Sequence, residues 1–374
     1  MFFRDIVGHS ELKQRLIEMV DSGRIPHAQL YTGAEGVGKL ALALAVAQYI
    51  CCEHREGGES CGRCPSCVQF AKLSHPDLHL VFPIAKTDGV KVCNDMVDAF
   101  RSAVLVNPYI SLNDWMNEAS DGKAAHIYTS EGDEIIRKLS FKPYQGRYKV
   151  MIIWIPEKMN VECANKVLKI LEEPSPDTVF MLVSDRADDV LGTIYSRCQR
   201  IAVPPIDKDE MEKALRERYS LADEVVPYLV KNALGSWSRM MGLIKETEES
   251  RCDFELFVQM MRLAWTLDVK GIKTWTEQVA ALPREGQMRF LQKAQRLIRE
   301  NFILRLRNRE LTYMNNDELA FAAKFAQFIH EKNVVQIMDE LALAEAQIAQ
   351  NGNTKIILFH LEILLYKLLK RSRE

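Results

Sequence analysis

Gly33-Ala-Glu-Gly-Val-Gly38-Lys39-Leu40 constrains this chain more than any other stretch. Glycine, four residues, glycine and lysine is the spacing of a phosphate-binding loop. The glycines let backbone N–H groups line an anion, and the lysine adds charge. The flanks match that reading. Ala28-Gln-Leu-Tyr31 is a short apolar run that predicts a buried strand, and Leu40 to Ala47 is rich in helix formers. A helix starting there points its positive end at the loop. The last position of the pattern, normally a Ser or Thr that holds Mg²⁺, is Leu40. The cradle is kept and the metal ligand is gone.

Nucleotide hydrolysis also needs an apolar strand that ends in an acidic metal ligand, often followed by a glutamate that activates water. The candidate is Lys149-Val-Met-Ile-Ile-Trp-Ile-Pro156, and its end carries Trp154 and Ile155 instead. Glu157, beyond Pro156, reads as a solvated residue near a helix start. Three catalytic groups therefore fail together: Leu40, Trp154 and Ile155. No Mg²⁺ site is expected. Contact with ATP or ADP through Gly33, Gly36, Gly38 and Lys39 stays open, because those residues survive.

Nine cysteines are present, five of them between Cys51 and Cys67. Cys61-Gly-Arg-Cys64-Pro-Ser-Cys67 spaces three thiols by two residues, and Cys52 lies nine positions upstream. Clustering of this kind favours metal over disulfides. Four thiolates close a tetrahedral Zn²⁺ site with no open position, which makes it structural. Cys52, Cys61, Cys64 and Cys67 are the expected ligands, with Cys51, His54 and His75 as rivals for the first place. The site is expected to pin a loop to the end of the first long helix.

The remaining composition narrows the class. With 47% hydrophobic and 27% charged residues, the 374-residue chain fits a globular protein of two or three domains. A net charge of −2 gives no global basic footprint, so any DNA contact is local or shared. The start of the chain does not read as a signal peptide, and no apolar run is long enough to span a membrane. A cytoplasmic location is expected.

Several motifs, in order, give the chain a resemblance to the delta-prime subunits of the bacterial replicative clamp loader, part of the DNA polymerase III holoenzyme and of the AAA+ superfamily. They are Asp5-Ile-Val-Gly8-His9, Gly23-Arg-Ile-Pro-His27-Ala28, the cysteine insertion, His75-Pro76-Asp77, Ala164-Asn-Lys-Val-Leu-Lys-Ile-Leu-Glu-Glu-Pro174 and Ser196-Arg197-Cys198. The resemblance implies an arginine finger: Arg197 reaching the ATP of a neighbouring subunit, a task that suits a planar, permanently charged guanidinium. It implies delta and gamma or tau subunits as partners in a hetero-oligomer, the sliding clamp indirectly, and primed DNA through the assembly. It also places the helix carrying Lys166 and Lys169 near DNA. Cys198 reads as a packed thiol.

The expected fold class is an α/β P-loop AAA+ module with a parallel sheet and a zinc-binding insertion over residues 1–205. A small helical lid over 206–248 and an all-α C-terminal collar over 249–374 follow. Strands are expected near Gln29–Thr32, Leu78–Phe82, Val150–Ile155, Val179–Ser184 and Gln199–Val203. The zinc module covers about 51–67. Residues 84–131 depart from the family pattern and read as a surface insertion, helical over Val97–Val106 and otherwise loops, with turn signals at Asp88-Gly89, Asn107-Pro108 and Asp121-Gly122. Arg239, beside the lid motif Gly235-Ser-Trp-Ser238, is displaced by one residue and carries no inferred role. Two rival readings are a hydrolysing gamma- or tau-type ATPase, which must bypass Leu40 and Trp154, and a P-loop nucleotide kinase. The kinase reading leaves the cysteines and the helical third domain without a purpose.

Overall fold

The computed structural model describes residues 1–370 apart from 88, 120–123, 220, 222, 224, 307–313 and 315. The turn signals at Asp88 and Asp121-Gly122 lie outside the described residues. The chain divides into two compact units, Met1–Ile244 and Lys245–Glu374.

In the first unit, β1 (Ala28–Thr32), β2 (Leu78–Val81), β3 (Lys149–Trp154), β4 (Thr178–Ser184) and β5 (Gln199–Ala202) pair in parallel in the order β2-β3-β4-β1-β5. Every residue of β3 and β4 is buried, as expected for strands covered on both faces. Their near-continuous apolar sequences made them legible. All five strands fall within one residue of their expected bounds.

The helices of this unit are α1 (Ser10–Asp21), α2 (Lys39–Cys51), α3 (Pro65–Phe70), α4 (Val97–Val106), α5 (Leu112–Ala119), α6 (Thr129–Ser140), α7 (Val161–Glu172), α8 (Gly192–Tyr195), α9 (Lys208–Arg218) and α10 (Val226–Ala233). The first turns of α11 (Trp237–Thr266) complete it. Buried Asp77 ties down the loop before β3: its carboxylate accepts the amides of Tyr144, Gln145 and Gly146 at 2.6, 2.8 and 3.3 Å.

The second unit is helical among its described residues. The rest of α11 is followed by α12 (Val269–Ala280), α13 (Arg284–Arg305), α14 (Asn316–Phe325), α15 (Val334–Ala349) and α16 (Thr354–Leu369). Trp275, Phe290, Ile337 and Leu365 lie in its core. No described helix is long and apolar enough to cross a membrane.

One buried group in this bundle weakens it. Glu362 on α16 is fully buried, and neither carboxylate oxygen has a partner among the described residues. Burial pushes its carboxyl up to about 9, from an ordinary 4.5. The folded form therefore holds a proton that the unfolded form releases, and stability falls as pH rises from 4.5 towards 9. Across the roughly 2.5 pH units between the ordinary value and pH 7 this costs about 3 kcal/mol. Glu362→Gln is expected to recover most of that at pH 7 and little at pH 4.5, read as the shift in urea unfolding of the bundle. An equal gain at both pH values would refute the assignment.

Candidate functional site

β1 feeds the chain directly into Gly33–Lys39, and α2 starts at the lysine. Gly36 and Gly38 have φ of +76° and +97°, which side chains rarely adopt. Space also demands glycine. A Cβ on Gly36 would lie 2.3 Å from Ser236 Oγ, and one on Gly38 would lie 2.9 Å from the Tyr109 ring. Lys39 is buried, and its Nζ is held within the protein. It pairs with Asp185 Oδ1 at 2.7 Å, just past the end of β4, and donates to the Ala34 carbonyl. Leu40 packs in the core.

The end of β3 is apolar for a reason that lies in residues 84–131. Trp154 is 3% exposed and sits 5.4 Å, ring to ring, from Phe100 of α4. Phe100 stacks on Phe82 at 3.9 Å and meets Trp115 of α5 edge-on at 5.1 Å. Trp115 Nε1 donates to the Pro83 carbonyl at 2.7 Å. The surface insertion expected from the sequence is thus corrected. It contains a second helix, α5, beyond the one expected, and its aromatic residues form buried structure against the sheet. Trp154 supplies the apolar wall they need.

Tyr109, between α4 and α5, carries the insertion to the glycine loop. It is 5% exposed, its hydroxyl accepts the Val7 amide at 2.8 Å, and its ring lies 6.3 Å from that of Trp237. The Trp237 amide donates to the Gly36 carbonyl at 2.9 Å. His9 Nε2 lies 2.7 Å from the Val37 carbonyl, and Glu210 of α9 accepts the His9 amide and the Ser10 hydroxyl at 3.1 and 2.6 Å. Arg239 is exposed.

Ile155 has a φ of +56°, a left-handed conformation that costs a β-branched residue about 1 kcal/mol or more. The chain turns there and brings Glu157 back over the end of β4. Its Oε1 accepts the Asp185 and Arg186 amides, each at 3.1 Å, and burial raises its carboxyl above the ordinary range. The expected solvated glutamate is instead a half-buried cap on the loop that presents Asp185 to Lys39.

Arg197 stands exposed between α8 and β5. Its Nη2 pairs with Glu172 Oε1 at 2.5 Å, at the end of α7, and its Nη1 donates to the Thr193 carbonyl at 3.0 Å. The guanidinium is therefore oriented from two sides while staying accessible. Cys198 is buried, and burial pushes its thiol up to about 11. Lys166 is engaged with Asp133 at 2.5 Å; Lys169 is exposed.

The sulfurs of Cys52, Cys61, Cys64 and Cys67 lie within 4.8 Å of one another. Tetrahedral zinc thiolates would stand roughly 3.8 Å apart. Successive amides aim at them: Cys61 N–H at Cys52 Sγ (3.3 Å), Cys64 N–H at Cys61 Sγ (3.3 Å) and Cys67 N–H at Cys64 Sγ (3.4 Å). Such donors favour thiolate over thiol, so the four residues could hold a metal such as zinc. Cys51, buried beside them, directs its thiol towards the Tyr148 carbonyl. His54 and His75 are not in the cluster, and His75 packs on Phe70 at 4.7 Å. Glu59 of the same loop accepts the Phe3 and Arg4 amides at 3.2 and 2.7 Å, which ties it to the start of the chain.

Sequence reasoning missed Tyr109, Asp185, Glu172 and Glu210. Only Glu172 stood in a recognised motif. The other three act through contacts distant in sequence, for which spacing holds no signal.

Residues 8–207 match the family described as DNA polymerase III, delta subunit. The DNA polymerase III subunit delta′ of Bacillus subtilis (strain 168) is 29% identical over 227 residues, 59% of this chain and 55% of that protein. The subunit delta′ of Haemophilus influenzae is 31% identical over 196 residues, 51% of this chain and 47% of that protein. The chain spans about half the length of these curated relatives in the matched regions. A solved Thermotoga maritima structure, a DNA polymerase III gamma subunit-related protein, aligns over 96% of this chain and all of that one, with 13% identity and a TM-score of 0.39. Since the family match takes in more than half of the sequence, the protein belongs to the DNA polymerase III delta-subunit family, with the delta′ subunits of the bacterial clamp loader, within the AAA+ superfamily.

Proposed function

We propose that this chain is a non-hydrolysing delta′ subunit of a cytoplasmic DNA polymerase III clamp loader. It joins delta and gamma or tau subunits, presents Arg197 to the ATP of a neighbouring ATPase subunit, and so contributes to placing the sliding clamp on primed DNA. The observation that carries the reading is the fate of the three lost catalytic positions. Leu40, Trp154 and Ile155 are all buried in the core of the first unit, where none can hold Mg²⁺ or polarise water. A gamma-type ATPase needs acidic groups at the end of β3, and Trp154 is committed to aromatic packing there.

Arg197 supports the trans role through its exposure and its fixed direction. A guanidinium held by Glu172 and the Thr193 carbonyl meets a phosphate with less ordering to do. Cys52, Cys61, Cys64 and Cys67 would hold Zn²⁺, whose contribution is structural and not catalytic.

Reconstitution tests the reading. The purified chain alone is expected to turn over no ATP, and adding it to delta and gamma-type subunits is expected to raise their DNA-dependent turnover and clamp loading. Turnover by the lone chain, or an assembly indifferent to its addition, would sink the proposal.

A further inference from the structure

We propose that the 84–131 insertion is an internal plug: Tyr109 takes the place of a nucleotide in the loop cleft and holds the helical lid closed without one. In a P-loop protein the space at the helix N-terminus, over the glycines, is where a phosphate ligand joins the loop. Here Tyr109 stands against Gly38 so closely that a methyl group there would collide with its ring. Its hydroxyl takes the Val7 amide, which ties the ring to the chain segment ahead of α1. Trp237 of the lid packs beside the ring, and its amide bonds the Gly36 carbonyl.

The cationic group of the loop is also engaged from within. Lys39 is held by Asp185 and Ala34. The insertion itself is anchored, because Phe100 packs on Trp154 and Trp115 packs on Phe100. A loop, a lid and an N-terminal segment thus meet on one side chain. The inference goes beyond the trans role of Arg197 and stands independently of it.

The test uses the full chain with amide-resolved hydrogen exchange and titration with the fluorescent nucleotide mant-ADP. Wild-type protein is expected to show no saturable mant-ADP signal. In Tyr109→Phe the Val7 amide should exchange roughly ten-fold faster, the measure of one lost hydrogen bond, while the Trp237 and Met240 amides stay slow. In Tyr109→Ala those lid amides should accelerate as well, with the Ile152 amide of β3 unchanged as the monitor of folding. If Tyr109→Ala fails to fold, the phenylalanine variant and the wild-type titration still decide. Saturable nucleotide binding by the wild type overturns the plug. So does an unchanged Val7 amide in Tyr109→Phe, or unchanged lid amides in a folded Tyr109→Ala. Nucleotide binding without turnover would remove the plug and leave the role of Arg197 intact. An assembly indifferent to Arg197 would do the reverse.

Discussion

Cys64→Ser protein is expected to purify without metal, and residues 52–67 are expected to lose their fixed structure. Cys64 is both a member of the sulfur cluster and the N-cap of α3, whose Cys67 amide it accepts. A structural zinc site supplies on the order of 10 kcal/mol of apparent folding free energy at neutral pH. The loop's own apolar cluster consists of the cysteines themselves, and polar contacts tie it to the rest of the protein. The damage should reach the start of the chain, since Glu59 secures the Phe3 and Arg4 amides and Ser60 accepts from Gln48 at 2.8 Å. Metal analysis gives the first readout, with stoichiometric metal expected in the wild type. Proteolysis within 52–67 gives the second. A variant that retained full metal content would exclude Cys64 as a ligand.

The second large effect belongs to Arg197. In a reconstituted loader, Arg197→Ala is expected to lower turnover at the ATP site it faces by on the order of 10³-fold, the lower range for an arginine finger. The total rate keeps only what the other sites supply. Arg197→Lys should not rescue it, because a point charge lacks the planar fork. Glu172→Gln should cost far less, since it alters the partner of Nη2 and leaves the guanidinium itself in place. Gel filtration must show the variant assembly intact. Undiminished turnover in an intact Arg197→Ala assembly would exclude the trans role.

What could be read from the residues, and what could not, follows from where each signal resides. β3 and β4 announced themselves because strands buried on both faces need unbroken apolar runs. The cysteine cluster was equally plain, since three thiols fall within seven residues. The plug was hidden. Tyr109 follows Asn107 and Pro108 in a turn with no periodicity, and its partners, Val7, Gly38 and Trp237, are separated from it by dozens of residues. Glu157 was misjudged because a left-handed Ile155 redirects it, and nothing in an Ile-Pro-Glu sequence signals that turn. The Lys39–Asp185 pair was equally out of reach, since parallel strands bring Asp185 beside the loop only once the sheet has formed.

Trp154 has a consequence for the history open to this chain. Putting an aspartate back at its position would not recreate an ATPase. It would leave a void beside Phe100 and strand a carboxylate there, a cost on the order of several kcal/mol with no metal yet gained. Ile155, Leu40 and the insertion would all have to change with it, and each alone is detrimental or useless. The packing around Trp154 therefore opposes an acidic residue at the end of β3, which is what a chain that serves a neighbour's active site, as proposed above, would need.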